Sequence, residues 1–267
     1  MKIHPTAIVD PRAQLGEEVV VGPYVYIEGE VEIGARTIVQ SHAVLEGPIR
    51  LGSDNQIGHG AIIGGLPQDL GFKAGTQSGV EIGDRNVIRE LATIHRGTTE
   101  HSATRVGHDN FFMAGAHLGH NCAIGNKVII ANNCLLGGYV TVDDGAFLGG
   151  GCVFHQFMRV GRLAITQGGS GFGKDIPPFV TAAGVNTVVS LNVVGLRRAG
   201  YGAEERAEVK AAFRLLYESG LNVSQALAQA RERTWREPAQ AFFDFVASAE
   251  RRGICGLRRR RGASNAD

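Results

Sequence analysis

His120, Gly138 and Gln156 lie eighteen positions apart, and their residue types suit proton transfer beside a carbonyl group. A histidine titrates near neutral pH, so it can accept the proton that a hydroxyl or an amine loses on attacking a thioester. A backbone N–H, such as that of a glycine, can stabilise the charge that develops on the carbonyl oxygen. A single histidine in a repetitive fold is more often structural, so this chemistry depends on whether the fold brings the two residues together.

An aliphatic or aromatic residue returns at every sixth position along most of the chain. The first uninterrupted series is Leu15, Val21, Ile27, Ile33, Val39, Leu45, Leu51, Ile57 and Ile63. The period resumes at Ile82, Ile88 and Ile94, and again at Val106, Phe112, Leu118, Ile124, Ile130, Leu136, Val142, Leu148, Phe154 and Val160. A period of six fits a coil with three flat sides and one hexad on each side. We predict a hexapeptide solenoid in which residues eighteen apart stack at about 4.8 Å, so that His120 neighbours Gly138.

Two further positions of the hexad support this prediction. Glycine often follows the aliphatic residue, as in Leu15-Gly16 and Ile57-Gly58, where we expect a tight corner. Small residues occupy the fifth place and are expected to point inward; they include Val25, Ala43, Ala61, Ala92, Cys122, Cys134 and Cys152. The cysteines are therefore interpreted as buried thiols rather than disulfides or metal ligands, a pattern that suits a reducing cytosol.

The 267 residues divide into three predicted parts. Residues 1–190 form the β-helix, 191–255 form a small helical domain whose apolar residues recur at three- and four-residue spacing from Ala203, and 256–267 form a basic, flexible tail. The net charge of +1 gives no global indication of nucleic-acid binding. No segment is long and apolar enough to predict a signal peptide or a transmembrane helix, so we expect a cytoplasmic protein.

Two insertions interrupt the hexads, at 65–79 (GLPQDLGFKAGTQSG) and 97–105 (GTTEHSATR). Insertions in solenoids leave the coil as loops and commonly carry function. The first loop contains Gln68, Asp69 and Lys73, whose polar groups suit a sugar, although such groups also occur on ordinary surface loops.

Several segments resemble one family. AHLGHNCAIGN (116–126), FHQF (154–157) and IGDRNVIRELATIHRGT (82–98) are similar to segments of the UDP-N-acetylglucosamine acyltransferases of lipid A synthesis, and PQDL, GNKVIIANN, DIPP and LNVVGLRRAGY follow in the family's order. The resemblance implies a homotrimer of left-handed parallel β-helices with active sites between subunits. It also implies the first step of lipid A synthesis: transfer of a β-hydroxyacyl chain from acyl carrier protein to the 3-position of a UDP-linked glucosamine, without metal or other cofactor.

The resemblance assigns roles residue by residue. His120 matches the general base, Gly138 the backbone oxyanion donor, and Asn121 and Tyr139 stand in place of a usual aspartate and histidine of the site. The remaining substrate-binding matches are Gln68, Asp69 and Lys73 for the sugar, His117, His155 and Gln156 for the cleft, Asn192 and Arg198 for the nucleotide, and Gly168 for the end of the acyl groove.

Four departures from the family pattern leave alternatives open. Besides Asn121 and Tyr139, Val194 stands where the family commonly has glutamate and Ala199 where it has arginine. An amide can accept the Nδ1 proton of a histidine but brings no charge, so the base should be weaker. One alternative is a paralogue that acylates another nucleotide sugar, for example a 3-amino sugar, and another is a paralogue without catalysis. A third is a trimeric zinc hydratase with His95, His117 and His120 as ligands.

Overall fold

The computed structural model describes residues 1–249 and 251–258, and most of this length winds into a left-handed parallel β-helix. Each turn of the coil adds one short strand to each of three sheets, which we call sheets A, B and C. The predicted all-β hexapeptide solenoid with a small helical domain is therefore confirmed.

The strands are numbered along the chain. Sheet A contains β1 (Lys2–Ile3), β4 (Val20–Val21), β7 (Ile38–Val39), β10 (Gln56–Ile57), β13 (Val87–Ile88), β16 (Phe111–Phe112), β19 (Ile129–Ile130), β22 (Phe147–Leu148), β25 (Ile165–Thr166), β27 (Val180–Ala183), β28 (Thr187–Leu191) and β29 (Gly256–Leu257). Sheet B contains β2 (Ile8–Val9), β5 (Tyr26–Glu28), β8 (Val44–Glu46), β11 (Ile62–Gly65), β14 (Thr93–His95), β17 (His117–Leu118), β20 (Leu135–Leu136), β23 (Val153–Phe154) and β26 (Gly171–Phe172). Sheet C contains β3 (Gln14–Leu15), β6 (Val31–Ile33), β9 (Ile49–Leu51), β12 (Gly79–Ile82), β15 (Ala103–Val106), β18 (Ala123–Ile124), β21 (Thr141–Val142) and β24 (Arg159–Val160).

The register of the strands follows the predicted repeat. Leu118 pairs with Leu136, and Leu136 pairs with Phe154, so residues eighteen apart do stack. The hexad residues fill the interior of the coil, with only Leu15 partly exposed. Both insertions leave the coil after a strand of sheet B and return to a strand of sheet C. Both therefore emerge at the corner between these two sheets, which we call the B–C corner.

The glycines that follow the hexad residues lie at corners of the coil, as predicted, but they do not themselves adopt the left-handed conformation. The residue in the left-handed region is not the glycine but the residue two positions after it; Asn121 has a φ of 59° and Tyr139 a φ of 60°. The glycine is required because successive coils approach closely. A Cβ on Gly34, for example, would lie 2.5 Å from the carbonyl carbon of Gly52 in the next coil.

After the last coil the chain turns back in an antiparallel hairpin, β27–β28, and then becomes helical. The helices are α1 (Val193–Arg198), α2 (Ala203–Tyr217), α3 (Val223–Ala230) and α4 (Glu237–Ala247). Helices α2, α3 and α4 lie in the segment from Ala203 whose apolar spacing predicted helices, and α1 precedes that segment. The segment predicted as a flexible tail begins inside sheet A, because Gly256 and Leu257 pair with Thr187 and Val188. Of that tail, residues 259–267 lie outside the described residues.

Two arginines join the last coil to the helical domain. Arg159 donates from its backbone N–H and its Nε to the buried carboxylate of Asp175, both at 2.8 Å. Its Nη2 donates to the carbonyl of Phe245 at 3.1 Å. Arg162 pairs with Glu237 at the start of α4. These contacts hold the helical domain against the end of the coil.

Candidate active site

A cleft of about 320 Å³ opens at the B–C corner. It brings together residues from four successive coils and from the first insertion: Gln68, His95, His117, Gly119, His120, Gly137, Gly138, Phe154, His155 and Gln156. Five of the residues predicted to bind substrate or to catalyse therefore share one cleft with Gly138. The repeat accounts for all of them except Gln68, because residues of successive coils in one column are turned toward the same corner, whereas Gln68 comes from the first insertion.

His120 is the most enclosed polar residue of this cleft, with 8% of its surface exposed. Its Nδ1 lies 3.0 Å from Oδ1 of Asn121, and the other side of its ring rests on Gly138. A Cβ on Gly138 would come within 2.4 Å of His120 Nε2, so only glycine leaves room for the ring. The N–H of Gly138 donates to no protein group among residues 1–249 and 251–258. A histidine ring and an uncommitted N–H donor thus lie side by side.

A loop residue that our sequence reasoning missed holds Asn121. Thr98, from the second insertion, donates to Asn121 Oδ1 from its backbone N–H at 3.0 Å and from its hydroxyl at 2.9 Å. The same hydroxyl lies 2.9 Å from the hydroxyl of Tyr139. Tyr139 stacks on Phe157 with ring centroids 4.7 Å apart. It also makes a T-shaped contact with the His120 ring, with centroids 5.3 Å apart. Asn121 and Tyr139, two of the four departures from the family pattern, are therefore linked through Thr98.

Two arginines of the C-terminal segment also reach this corner. The guanidinium of Arg251 lies 3.6 Å from the ring centroid of Phe157, and Arg252 Nη2 lies 3.0 Å from His155 Nδ1. No spacing in the sequence predicts these contacts, because each joins a residue of the coil to an arginine almost a hundred positions later and outside the repeat. They place positive charge beside the outer part of the cleft.

His95 and His117 form the inner wall of the cleft. Their ring centroids lie 4.9 Å apart, and Thr93 Oγ1 lies 2.7 Å from His117 Nδ1. Burial lowers the pKa of His117, and burial together with the two neighbouring histidines lowers the pKa of His95 to about 4. His95 Nδ1 is buried without a hydrogen-bond partner in the described part of the chain. Both rings are therefore expected to be neutral at pH 7.

Acidification is expected to destabilise the protein through His95. Its pKa falls from 6.5 to about 4 on folding, so between these values the unfolded chain binds a proton that the folded chain does not. The free energy of unfolding therefore decreases as the pH falls from 6.5 to 4. Thermal melts across this range should show a steeper loss for the native protein than for His95→Gln, which cannot titrate. Equal pH slopes for the two proteins would contradict this origin.

The other predicted site residues lie apart from this cleft within one chain. Asp69 accepts a hydrogen bond from the N–H of Gly71 at 2.8 Å within its own loop, and Lys73 is exposed farther along it. Gly168 is exposed at the corner between sheets A and B. Asn192 precedes α1 and Arg198 is its last residue. Asn192 Nδ2 donates at 2.8 Å to the carbonyl of Leu163, at the corner between sheets C and A.

The side chain of Asn192 already makes hydrogen bonds within the protein. It is 6% exposed and caps α1, its Oδ1 accepting from the N–H of Gly195 at 2.8 Å. A nucleotide contact by this residue stays a prediction. Arg198 is exposed, as are the neighbouring Val194 and Ala199.

Within residues 1–249 and 251–258 of one chain, no group of three or more His, Cys, Asp or Glu side chains is arranged to hold a metal ion. His120 Nδ1 faces Asn121 and His117 Nδ1 faces Thr93, so each of these rings already uses one nitrogen for a hydrogen bond.

Two family models match the chain. Residues 175–255 match the model described as UDP N-acetylglucosamine O-acyltransferase, domain 2, and residues 12–47 and 103–138 match that of the bacterial transferase hexapeptide repeat. The helical domain and the coil are thus matched separately.

Curated relatives and solved structures match nearly the whole chain. An acyl-[acyl-carrier-protein]–UDP-N-acetylglucosamine O-acyltransferase of Paraburkholderia phymatum is 48% identical over 94% of this chain and 98% of its own. The enzyme of that name from Halorhodospira halophila is 44% identical over the same shares. Among solved structures, the UDP-N-acetylglucosamine acyltransferase of Bacteroides fragilis has a TM-score of 0.89 at 40% identity, covering 94% of this chain and 99% of its own. That of Campylobacter jejuni has a TM-score of 0.90 at 35% identity, covering 96% and 100%.

Proposed function

The chain belongs to the acyl-[acyl-carrier-protein]–UDP-N-acetylglucosamine O-acyltransferase family, and on this premise we propose that His120 is its general base and the N–H of Gly138 its oxyanion donor. The enzyme moves an acyl chain from acyl carrier protein to UDP-N-acetylglucosamine, the first step of lipid A synthesis. The observation that supports this assignment is the direct packing of the His120 ring against the backbone of Gly138 within the cleft.

The chemistry follows from this geometry. His120 Nε2 takes the proton of the sugar hydroxyl as its oxygen bonds to the thioester carbonyl carbon. The carbonyl oxygen gains negative charge, which the Gly138 N–H stabilises. Collapse of the tetrahedral intermediate breaks the carbon–sulfur bond, and the leaving thiolate receives the proton from His120. The base is restored, and the reaction needs no metal ion or redox partner.

The acceptor and the donor are tested together by a transfer assay. Purified protein is given a series of β-hydroxyacyl carrier proteins with UDP-N-acetylglucosamine or its 3-amino analogue, with His120→Ala as control. Transfer to the ordinary sugar, lost in the variant, is the expected result. Transfer to the amine alone would replace the proposed acceptor, and no transfer to either would overturn the proposed function.

We propose a homotrimer in which the active site is completed between subunits. The support is the distribution of the predicted site residues over all three corners of one coil, since His120, Gly168 and Asn192 lie at different corners. Exposed apolar residues also run along the outer face of sheet B, including Leu135 at 43% and Val153 at 50% exposed. Size-exclusion chromatography with light scattering should give the mass of three chains; a monomer at micromolar concentration would overturn this assembly.

We propose that the two exposed arginines at the end of α1 bind the acidic carrier protein. Arg197 and Arg198 are both exposed, whereas Arg159 and Arg162 are occupied by Asp175 and Glu237. Basic side chains at a surface attract an acidic partner and raise its association rate.

Gly168 is proposed to set the length of the transferred chain. A Cβ on Gly168 would lie 3.0 Å from the carbonyl oxygen of Gly150, so a larger side chain must extend away from the coil into the space proposed for the acyl chain. In Gly168→Met, kcat/KM for the longest accepted acyl chain is expected to fall at least about tenfold. The methionine side chain would occupy the space proposed for the last methylene groups of that acyl chain and exclude them sterically. The rate with shorter chains is the internal control. An unchanged chain-length profile would remove Gly168 from this role.

The cytoplasm is the proposed location. All four cysteines are free and buried, which fits a reducing compartment. Separately, none of the helices in the described part of the chain is long and apolar enough to cross a membrane.

A further inference from the structure

We propose that Thr98 is a positioning residue that fixes the tautomer of His120 through the side-chain amide of Asn121, an inference that rests on the proposed function of His120. The network runs from Tyr139 through Thr98 and Asn121 to His120 Nδ1, with contacts of 2.9 to 3.0 Å. Thr98 does not touch the reacting atoms itself.

The first step is the orientation of the Asn121 amide. Oxygen and nitrogen of an amide side chain are assigned from their partners. A backbone N–H can only donate, so the Asn121 atom that faces Thr98 N at 3.0 Å must be the oxygen. The same oxygen faces His120 Nδ1 at 3.0 Å. The amide orientation is therefore set by the loop and not by the histidine.

The second step is the tautomer of His120. An amide oxygen only accepts, so His120 Nδ1 must carry the hydrogen, and in the neutral ring Nε2 is left as the acceptor. Nε2 is the nitrogen beside Gly138, on the side where the proposed chemistry takes place. If the amide turned over, its NH₂ group would face Nδ1 and favour the opposite tautomer. That tautomer has a hydrogen on Nε2 and cannot act as a base.

Control of the amide orientation matters in this chain because Asn121 stands where the family usually has an aspartate. A carboxylate presents an oxygen in either orientation, whereas an amide presents an oxygen in only one. Thr98 supplies two donors to that oxygen, and because its hydroxyl donates to Asn121, the hydroxyl must accept from Tyr139. Tyr139 is held in turn by its stack on Phe157. Asn121, Tyr139 and Thr98 thus act as one unit that retains the tautomer without the negative charge.

Thr98→Val keeps the shape of the side chain and one of the two donors to Asn121 Oδ1, the backbone N–H, and removes the other donor, the hydroxyl. The preference for one amide orientation is therefore weakened but not abolished. We expect kcat to fall about tenfold with KM unchanged, the effect of one lost hydrogen bond that acts on the transition state. Thr6→Val is the matched control, because the Thr6 hydroxyl also contacts a histidine ring, His4 Nδ1 at 2.9 Å, but in the first coil. It should leave kcat unchanged.

A second substitution at Asn121 distinguishes orientation of the amide by Thr98 from a general structural role of Thr98 in the site. In Asn121→Asp the carboxylate needs no orientation, so adding Thr98→Val should change kcat by less than about twofold. A merely structural role of Thr98 would lower kcat equally in both backgrounds, and that result would overturn the proposal. Equal kcat for the native protein and Thr98→Val would overturn it as well.

A readout without substrate separates this inference from the proposed function. The ¹⁵N chemical shifts of the His120 ring, assigned by comparison with His120→Gln, report which nitrogen carries the hydrogen. We expect hydrogen on Nδ1 in the native protein and a detectable fraction on Nε2 in Thr98→Val. If the tautomers differ in this way but the protein transfers no acyl group, the control of the tautomer by Thr98 stands and only the proposed function fails. Identical tautomers in both proteins would overturn the control of the tautomer by Thr98.

Discussion

Replacing His120 by glutamine is expected to lower kcat about a thousandfold, because general base catalysis by a positioned side chain contributes about 10² to 10⁴ in rate. The amide still fits beside Asn121 and can hydrogen-bond to it, so substrate binding and KM should change little. The remaining rate would come from substrate positioning and from the Gly138 N–H. Steady-state kinetics with both substrates varied in turn, together with a thermal melt, measures the effect.

His59→Gln is the matched control for this substitution. His59 is exposed at the corner between sheets A and B, where Ser41 Oγ lies 2.8 Å from its Nδ1. It makes the same kind of contact as His120 but lies outside the cleft, so its replacement should leave kcat unchanged. If His120→Gln retained more than about a tenth of the native kcat, His120 would not be the base.

The regular part of the fold was accessible from the sequence because one repeated physical requirement determines it. Each hexad must bury one large side chain, and six residues per side fix both the strand position and the stacking of residues eighteen apart. The neighbourhood of His120 and Gly138 follows from that arithmetic alone. The reason for the corner glycines did not follow, because the close approach of adjacent coils is visible only in three dimensions.

The rest of the candidate site comes from segments that the repeat does not control. Thr98 lies in an insertion, and the conformation of an insertion depends on its own hydrogen bonds, such as that of the Thr99 N–H to Ser102 Oγ at 3.1 Å. Arg252 reaches His155 only because the helical domain folds back on the last coil. Neither contact has a spacing in the sequence that predicts it. The motif resemblance therefore pointed to the proposed base, His120, but not to Thr98, the residue proposed to orient its partner.

Asn121 shows how these two sources of structure combine. Its position comes from the repeat, which places it in the left-handed conformation at the B–C corner, while its hydrogen bonds come from the loop. The loss of charge relative to an aspartate was predicted from the sequence to weaken the base. The structure adds that the orientation of the amide is controlled, so this departure is compatible with the activity of the family.

Replacing Gly138 by alanine is expected to lower kcat by at least about a hundredfold, because a shift of about 1 Å in a catalytic group costs that much. The new Cβ would lie 2.3 Å from His120 Cε1 and 2.4 Å from Nε2, so the ring must rotate away from the corner. Rotation separates Nδ1 from Asn121 and moves Nε2 away from the acceptor hydroxyl. Because the clash is with the end of a side chain, the coil itself should persist, and the melting temperature should fall by only a few degrees.

Gly256→Ala separates this effect from a general cost of adding a methyl group. A Cβ on Gly256 would meet no atom within 4 Å, and the residue lies in β29, away from the cleft. It should leave both kcat and the melting temperature unchanged. A Gly138→Ala protein with native kcat would show that the His120 ring does not need its place on Gly138, and the proposed pairing of base and oxyanion donor would then fail. A loss of kcat that accompanies global unfolding would instead assign Gly138 to the packing of the coil.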